Sequence, residues 1–144
     1  METQGYSNHT RLVPAFHFVL LPLILVTLIG SIVNLVKSYG DHERLYSASL
    51  ILALTVCLAL LAPIARVFAL KAQDRAIRAE ENMRHYILTG KLLDPRLEAL
   101  QIVALRFAAD GEFPALAQKA ANEAMKPADI KRAIKVWRAD LYRV

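Results

Sequence analysis

Two apolar runs without a formal charge leave this chain little choice of environment. Residues 12–36 read LVPAFHFVLLPLILVTLIGSIVNLV and residues 45–65 read LYSASLILALTVCLALLAPIA, with no Asp, Glu, Lys or Arg in either. At about 1.5 Å per residue the first covers about 37 Å and the second about 31 Å, each enough for a hydrocarbon core of about 30 Å. A helix that is apolar on every side must be surrounded by protein or by lipid. The rest of a 144-residue chain is too small to enclose two of them. Charge is distributed to match: fourteen of the 18 Lys and Arg and ten of the 13 Asp and Glu lie from Lys71 onward. The first run is too long for a signal-peptide core and lacks a small-x-small exit, so both spans are expected in the mature protein.

The connection 37–44, KSYGDHER, is short and carries Gly40-Asp41 as a turn signal. A loop this short makes the spans an antiparallel hairpin with both ends on one side. Lys37 and Arg44 lie in the loop, whereas Arg11, Arg66, Lys71, Arg75, Arg78 and Arg84 lie on the other side. Basic residues near span ends favour the cytoplasm, so both termini are expected there. The domains expected are a cytoplasmic N-terminal segment (1–11), a first span (12–36), an external loop (37–44) and a second span (45–70). A cytoplasmic stalk helix (71–89) and a cytoplasmic helical module (90–144) follow. The fold class is all-α.

Small residues recur on both spans. Pairing Ser31 with Ala53 sets Thr27 against Cys57 and brings Ser49 beside Leu35, with Gly30 and Asn34 flanking the stripe. Small residues let helix backbones approach in lipid, so this stripe is read as the helix–helix seam, with a seam to another protein as the rival. The same register places His17 opposite Arg66. The arginine either snorkels to the interface or joins His17 in a polar site for a lipid headgroup or a partner carboxylate. Pro63 frees a carbonyl near Ala59, and Pro14 and Pro22 are expected to start or kink the first span. No acid lies within either span, which argues against a proton or cation pathway.

The helix of the second span meets no breaker until Thr89-Gly90. Ala69, Ala72, Ala76, Ala79, Met83 and Tyr86 recur at alternating intervals of three and four, a narrow heptad seam suited to a close helix partner. Asp74 and Arg78, Glu80 and Arg84, and Glu81 and His85 are spaced to support the helix from its other faces. Three further helices are expected at 95–109, opened by Asp94-Pro95, at 114–125, and at 127–143. Ile130, Ile134, Trp137 and Leu141 form an apolar stripe on the last one, and Lys131, Arg132, Lys135 and Arg138 give it a basic face.

That basic face has three readings: the solvated outside of the bundle, a contact with the anionic cytoplasmic leaflet, or nucleic acid. QIVALRFAADGEFPALA followed by IKRAIKVWR loosely resembles helix-turn-helix modules of sigma-factor and response-regulator type. The linker is longer than that motif allows, and Asp129 and Asp140 interrupt the basic run, which argues against nucleic acid.

Nothing in the sequence points to catalysis. Cys57 is the one cysteine, so an intrachain disulfide and a cysteine-cluster metal site are excluded. His9, His17, His42 and His85 show no spacing that puts two ligands on one helix face, and no phosphate-loop, zinc-protease or nucleophile-elbow string is present. No cofactor is expected.

NHTRLVPAFHF at 8–18, GSIVNLV at 30–36, RLYSASLIL at 44–52, RVFALKAQDRAIRAEENMRHYILTGKLLDPRL at 66–97 and IKRAIKVWRAD at 130–140 together resemble an uncharacterised bacterial family, known only as a domain of unknown function. Its members look like short two-span proteins. The resemblance covers nearly the whole chain and implies a bacterial inner-membrane location. It brings no activity and no catalytic residue. The expectation is a non-enzymatic membrane accessory or scaffold protein, with lipid around its spans and a protein partner or a second copy on its stalk. The alternative is a tethered module that binds anionic lipid through its basic last helix.

Overall fold

The computed structural model describes Gly5, Tyr6 and residues 12–140. Arg11, Leu141 and Arg143 lie outside the described residues. The elements are a π-helical turn Ala15–Leu20 and five α-helices: α1 Leu21–Lys37, α2 His42–Thr89, α3 Ala99–Leu105, α4 Phe113–Asn122 and α5 Pro127–Ala133. No strand occurs among the described residues; one isolated bridge pairs Ala108 with Trp137. The chain divides into two compact units, Leu12–Phe68 and a second comprising Ala69 onward with the N-terminal segment.

The first unit holds both apolar runs. Its helix over Ala15–Lys37 and the 48-residue α2 are each long and apolar enough to cross a membrane. Only 6% of the most apolar stretch of the first and 11% of that of the second is buried against protein. A core helix of a water-soluble body is covered; these display Phe18, Val26, Leu54 and Leu60 to the outside, each more than half exposed. The first run opens as a π-turn because Pro22 has no N–H and its ring crowds the preceding turn. Leu21 N–H accordingly reaches back to Phe16 O. Gly40, at φ +97°, makes the left-handed turn between the helices, and Pro63 sits inside α2 without ending it.

Burial within this unit follows a heptad on each helix. On α1 the covered positions are Ile24, Leu28, Ser31 and Leu35, with Ser38 just beyond; on α2 they are Leu45, Ala48, Leu52, Thr55, Ala59, Ala62 and Arg66. The buried hydroxyls bond to their own helices: Ser31 donates to Leu28 O (2.8 Å), Ser38 to Asn34 O (2.8 Å) and Thr55 to Ile51 O (2.8 Å). The expected small-residue stripe therefore needs correction. Of its members only Ser31 is buried; Thr27, Gly30, Asn34, Ser49, Ala53 and Cys57 are exposed.

In the second unit, Gly90 at φ +72° ends α2. Leu93 and Leu97 then enter a core with Ile102, Leu105, Phe107, Phe113, Leu116, Ile130 and Ile134. α3 packs on α4 and α5. The expected helix 95–109 is shorter, and Asp94 is not its cap. The Asp94 carboxylate accepts Arg96 N–H (2.9 Å) and the Asp94 carbonyl accepts Leu97 N–H (3.0 Å), forming a turn. The helix starts at Ala99, opened by a capping box of Glu98 and Gln101. α4 ends at Asn122, and Ala124 then adopts a left-handed φ of 47°.

The largest correction concerns the last helix. α5 stops at Ala133, and Ile134 is extended at ψ 123°. Other partners take the backbone groups that a continuing helix would use. The Glu112 carboxylate accepts Lys135 N–H (3.1 Å) and Val136 N–H (2.9 Å). Arg138 N–H donates to Phe107 O (2.7 Å), and Ala109 N–H donates to Val136 O (3.0 Å). Ile134 stays buried, and Trp137 lies against the Phe107 ring at 5.2 Å. Ile130→Ala removes a side chain with no exposed surface, and a cost of about 2–5 kcal/mol is expected. Leu100→Ala, at a residue 58% exposed, should change stability far less. Urea unfolding followed by fluorescence of Trp137, the only tryptophan, measures both.

Candidate functional site

The described residues hold no group of three or more His, Cys, Asp and Glu side chains able to bind a metal ion. The organised polar feature is the joint between α2 and the module of the second unit. Residues 69–89 of α2 offer Ile77, Glu81, Arg84 and His85, spaced to lie on one side of the helix. Ile77 is 6% exposed and Glu81 5%.

Arg84 is the centre of the joint. Its guanidinium donates to the Glu81 carboxylate (2.8 Å), the Asp110 carboxylate (2.7 Å) and Ala108 O (2.7 Å). It also lies 4.4 Å from the Phe113 ring centroid. The planar fork of an arginine suits several acceptors at once, which a lysine cannot match. His85 adds a ring-nitrogen contact to Lys91 O (2.7 Å) and an edge-on contact with Phe113, and Asn82 Oδ1 accepts Leu93 N–H (3.0 Å). Arg138 approaches Glu81 from the extended segment at 3.7 Å. In place of the expected Glu80–Arg84 and Glu81–His85 pairs, Arg84 binds Glu81 one turn back and Asp110 and Ala108 in the module, and His85 contacts Lys91 O.

Burial pushes the Glu81 carboxyl above its ordinary value of 4.5, and the hydrogen bond and charge of Arg84 oppose the rise. Hydrogen bonds from Arg96 hold Asp94 down to about 2. Elsewhere in the module Arg106 is buried, 3.2 Å from Asp140 and 4.6 Å over the Phe107 ring.

The alanine seam lies on the other side of this segment. Ala69, Ala72, Ala76, Ala79, Met83 and Tyr86 are all exposed. Beside it an apolar groove of about 530 Å³ is lined by Ala79, Met83, Ile87 and Leu88, with Glu80, Arg84 and Asp110 as its polar members. The module therefore docks through a face other than the seam, and the seam stays open.

The basic residues do not form one helix face. Lys131 and Arg132 are on α5, and Lys135 and Arg138 are in the extended segment. Lys131 lies 5.7 Å from the Phe107 ring centroid, and Arg132 is paired with Asp129 (3.1 Å) and lies over Tyr6. With Arg138 on Glu81, three of the four cations are engaged inside the second unit. In the first unit Arg66 rests over the Phe16 ring at 5.4 Å, and His17 meets the edge of that ring. The His17 Nδ1 atom sits 3.0 Å from both the nitrogen and the oxygen of Val13. Phe16 thus mediates between the two residues expected to pair. Nothing in the spacing of His17 and Arg66 signalled that role.

The model of one family, described as a family of unknown function (DUF6526), matches residues 1–144. No curated protein and no solved structure matches the chain.

Arg84→Met leaves Glu81 buried without its main counter-charge, and a loss of about 3–5 kcal/mol is expected. Arg84→Met combined with Glu81→Met should recover much of it. The pH dependence separates the two acids. Glu81, with its folded pKa raised, contributes stability that is full below 4.5 and lost as pH rises through the folded value. Asp94 contributes stability that is full above 3.8 and lost as pH falls through about 2. Glu81→Gln should therefore flatten the upper of these two slopes and leave the lower one, as measured by Trp137 fluorescence across pH.

Proposed function

We propose, for a chain that belongs over its whole length to that family, a non-enzymatic accessory or scaffold role in a membrane. The two apolar helices cross the bilayer as a hairpin, and α2 runs on beyond the lipid to carry the helical module. The observation that carries this reading is the use of the two sides of α2 after residue 68. One side carries buried Ile77 and is tied to the module through Glu81 and Arg84, while the alanine side stays exposed. A helix of 48 residues is more than twice what about 30 Å of hydrocarbon requires, so its remainder is available for contacts in water. Close packing along alanines suits another helix better than a small ligand.

The excess of Lys and Arg beside the span ends nearest Arg66 and Lys71 favours both termini in the cytoplasm, in the inner membrane of a bacterium. The absence of acids within the spans supports a structural part over transport. Binding of anionic lipid or nucleic acid by a basic last helix loses its geometric support, because that helix ends at Ala133 and its cations are dispersed.

Two measurements test the reading. The chain should stay with membranes through alkaline carbonate washing. A photoreactive residue at Ala76 should crosslink to protein, whereas one at Arg78 should do so far less. Release by carbonate, or equal labelling at the two positions, speaks against it.

A further inference from the structure

We propose that the alanine face of α2 is where a second copy of this chain packs, side by side and in parallel, over residues 69–87. This rests on the membrane reading above: two copies inserted in the same sense can only bring these segments together pointing the same way. Ala69, Ala76 and Met83 take heptad position a, and Ala72, Ala79 and Tyr86 take position d. Positions b, c and f then fall on Ile77, Arg84, His85, Asp74 and Glu81. Those are the residues on the side that the module covers. The module thus occupies what becomes the outside of a two-stranded coil and leaves the a and d seam open, reaching its flanks only at half-buried Gln73 and at Asn82, which accepts Leu93 N–H.

Charge selects both the partner and the direction. Arg75 stands at position g and Glu80 at position e. In a parallel pair, g of one strand meets e of the next heptad on the other. Arg75 of each copy then faces Glu80 of the other, twice by symmetry. An antiparallel pair sets g against g and e against e instead, so Arg75 no longer meets Glu80. Both side chains are exposed, and α2 ion pairs beyond residue 68 involve Glu81 and Arg84, not these two. The apolar groove beside the seam continues the same surface: Ala79, Met83 and Ile87 line it from positions d, a and e, and Glu80 stands at its rim. Met83 is 60% exposed, Tyr86 53% and Ile87 75%, so the covering copy has large side chains to bury where the alanines offer little area. Confinement of both copies to one membrane raises their effective concentration and lets a modest seam suffice.

The test uses the full chain in its own membranes, with Cys57→Ala removing the one native thiol. Ala76→Cys, Ala79→Cys and Arg78→Cys are introduced singly and oxidised. The first two should give severalfold more disulfide-linked dimer than the third, because a and d positions face their own counterparts and position c does not. Glu80→Arg in the Ala76→Cys chain should cut that yield severalfold, and adding Arg75→Glu should restore it. Equal yields at all three positions, or no restoration by the charge exchange, overturn the inference. So does absence of dimer from a carbonate-resistant chain whose Ala76 position crosslinks to a different protein, and that result leaves the scaffold reading standing. A chain released by carbonate removes the scaffold reading itself, and this inference with it.

Discussion

A buried carboxylate has to find a cation, and in the second unit that requirement is met at one point. Glu81 lies almost without solvent on α2, so its ionised form depends on the guanidinium of Arg84 one turn away. Arg84 in turn reaches Asp110 and the Ala108 carbonyl, which belong to the bend between α3 and α4. The bend is thereby tied to the long helix. Its backbone also takes the extended segment 136–138, which keeps Trp137 against Phe107. Removing the cation strands an acid and loosens three chain segments at once. An apolar contact in its place would fix the same elements less specifically, since a hydrophobic patch tolerates sliding and a forked donor between fixed acceptors does not.

The first unit has no such charged centre; in the proposed bilayer, surrounding lipid would remove the hydrophobic drive between its helices and leave steric fit. Its covered stripes mix small and larger residues, and Arg66 turns its cation onto the Phe16 ring, far along α2 from the Gly40 turn. The two units thus rely on different physics, steric fit in one and buried charge in the other, although a single helix contributes to both.

Much of this was legible in the sequence. Uncharged length announced the two apolar helices, Gly40 and Gly90 marked the turns, and the lack of a breaker after Ala65 foretold one continuous α2. The seam register was not legible, because a stripe of small residues looks like a packing surface whatever stands opposite it. Ser31 alone belongs to both the expected and the observed stripe. The last helix misled for another reason. Ile130, Ile134 and Trp137 have helical spacing and do all pack on the core, but Glu112 and the Phe107–Ala109 backbone capture the chain from Lys135 onward. No local pattern reports a carboxylate more than twenty residues earlier that competes for those N–H groups. Arg84 was visible only as a member of a helix-surface pair, since its partners Asp110 and Ala108 are distant in sequence.

The buried hydroxyls of the first unit have one more effect. Ser31, Ser38 and Thr55 each close their bond within their own helix. Interhelical order there is consequently set by van der Waals fit, without the angular demands of shared donors. Under the proposed membrane placement, bilayers of unequal thickness would change the tilt of such a pair by small rolling adjustments that sever none of these bonds. In the proposed bilayer these two rods would be compliant to the lipid, while the arginine-centred joint of the second unit holds its partners by directed bonds.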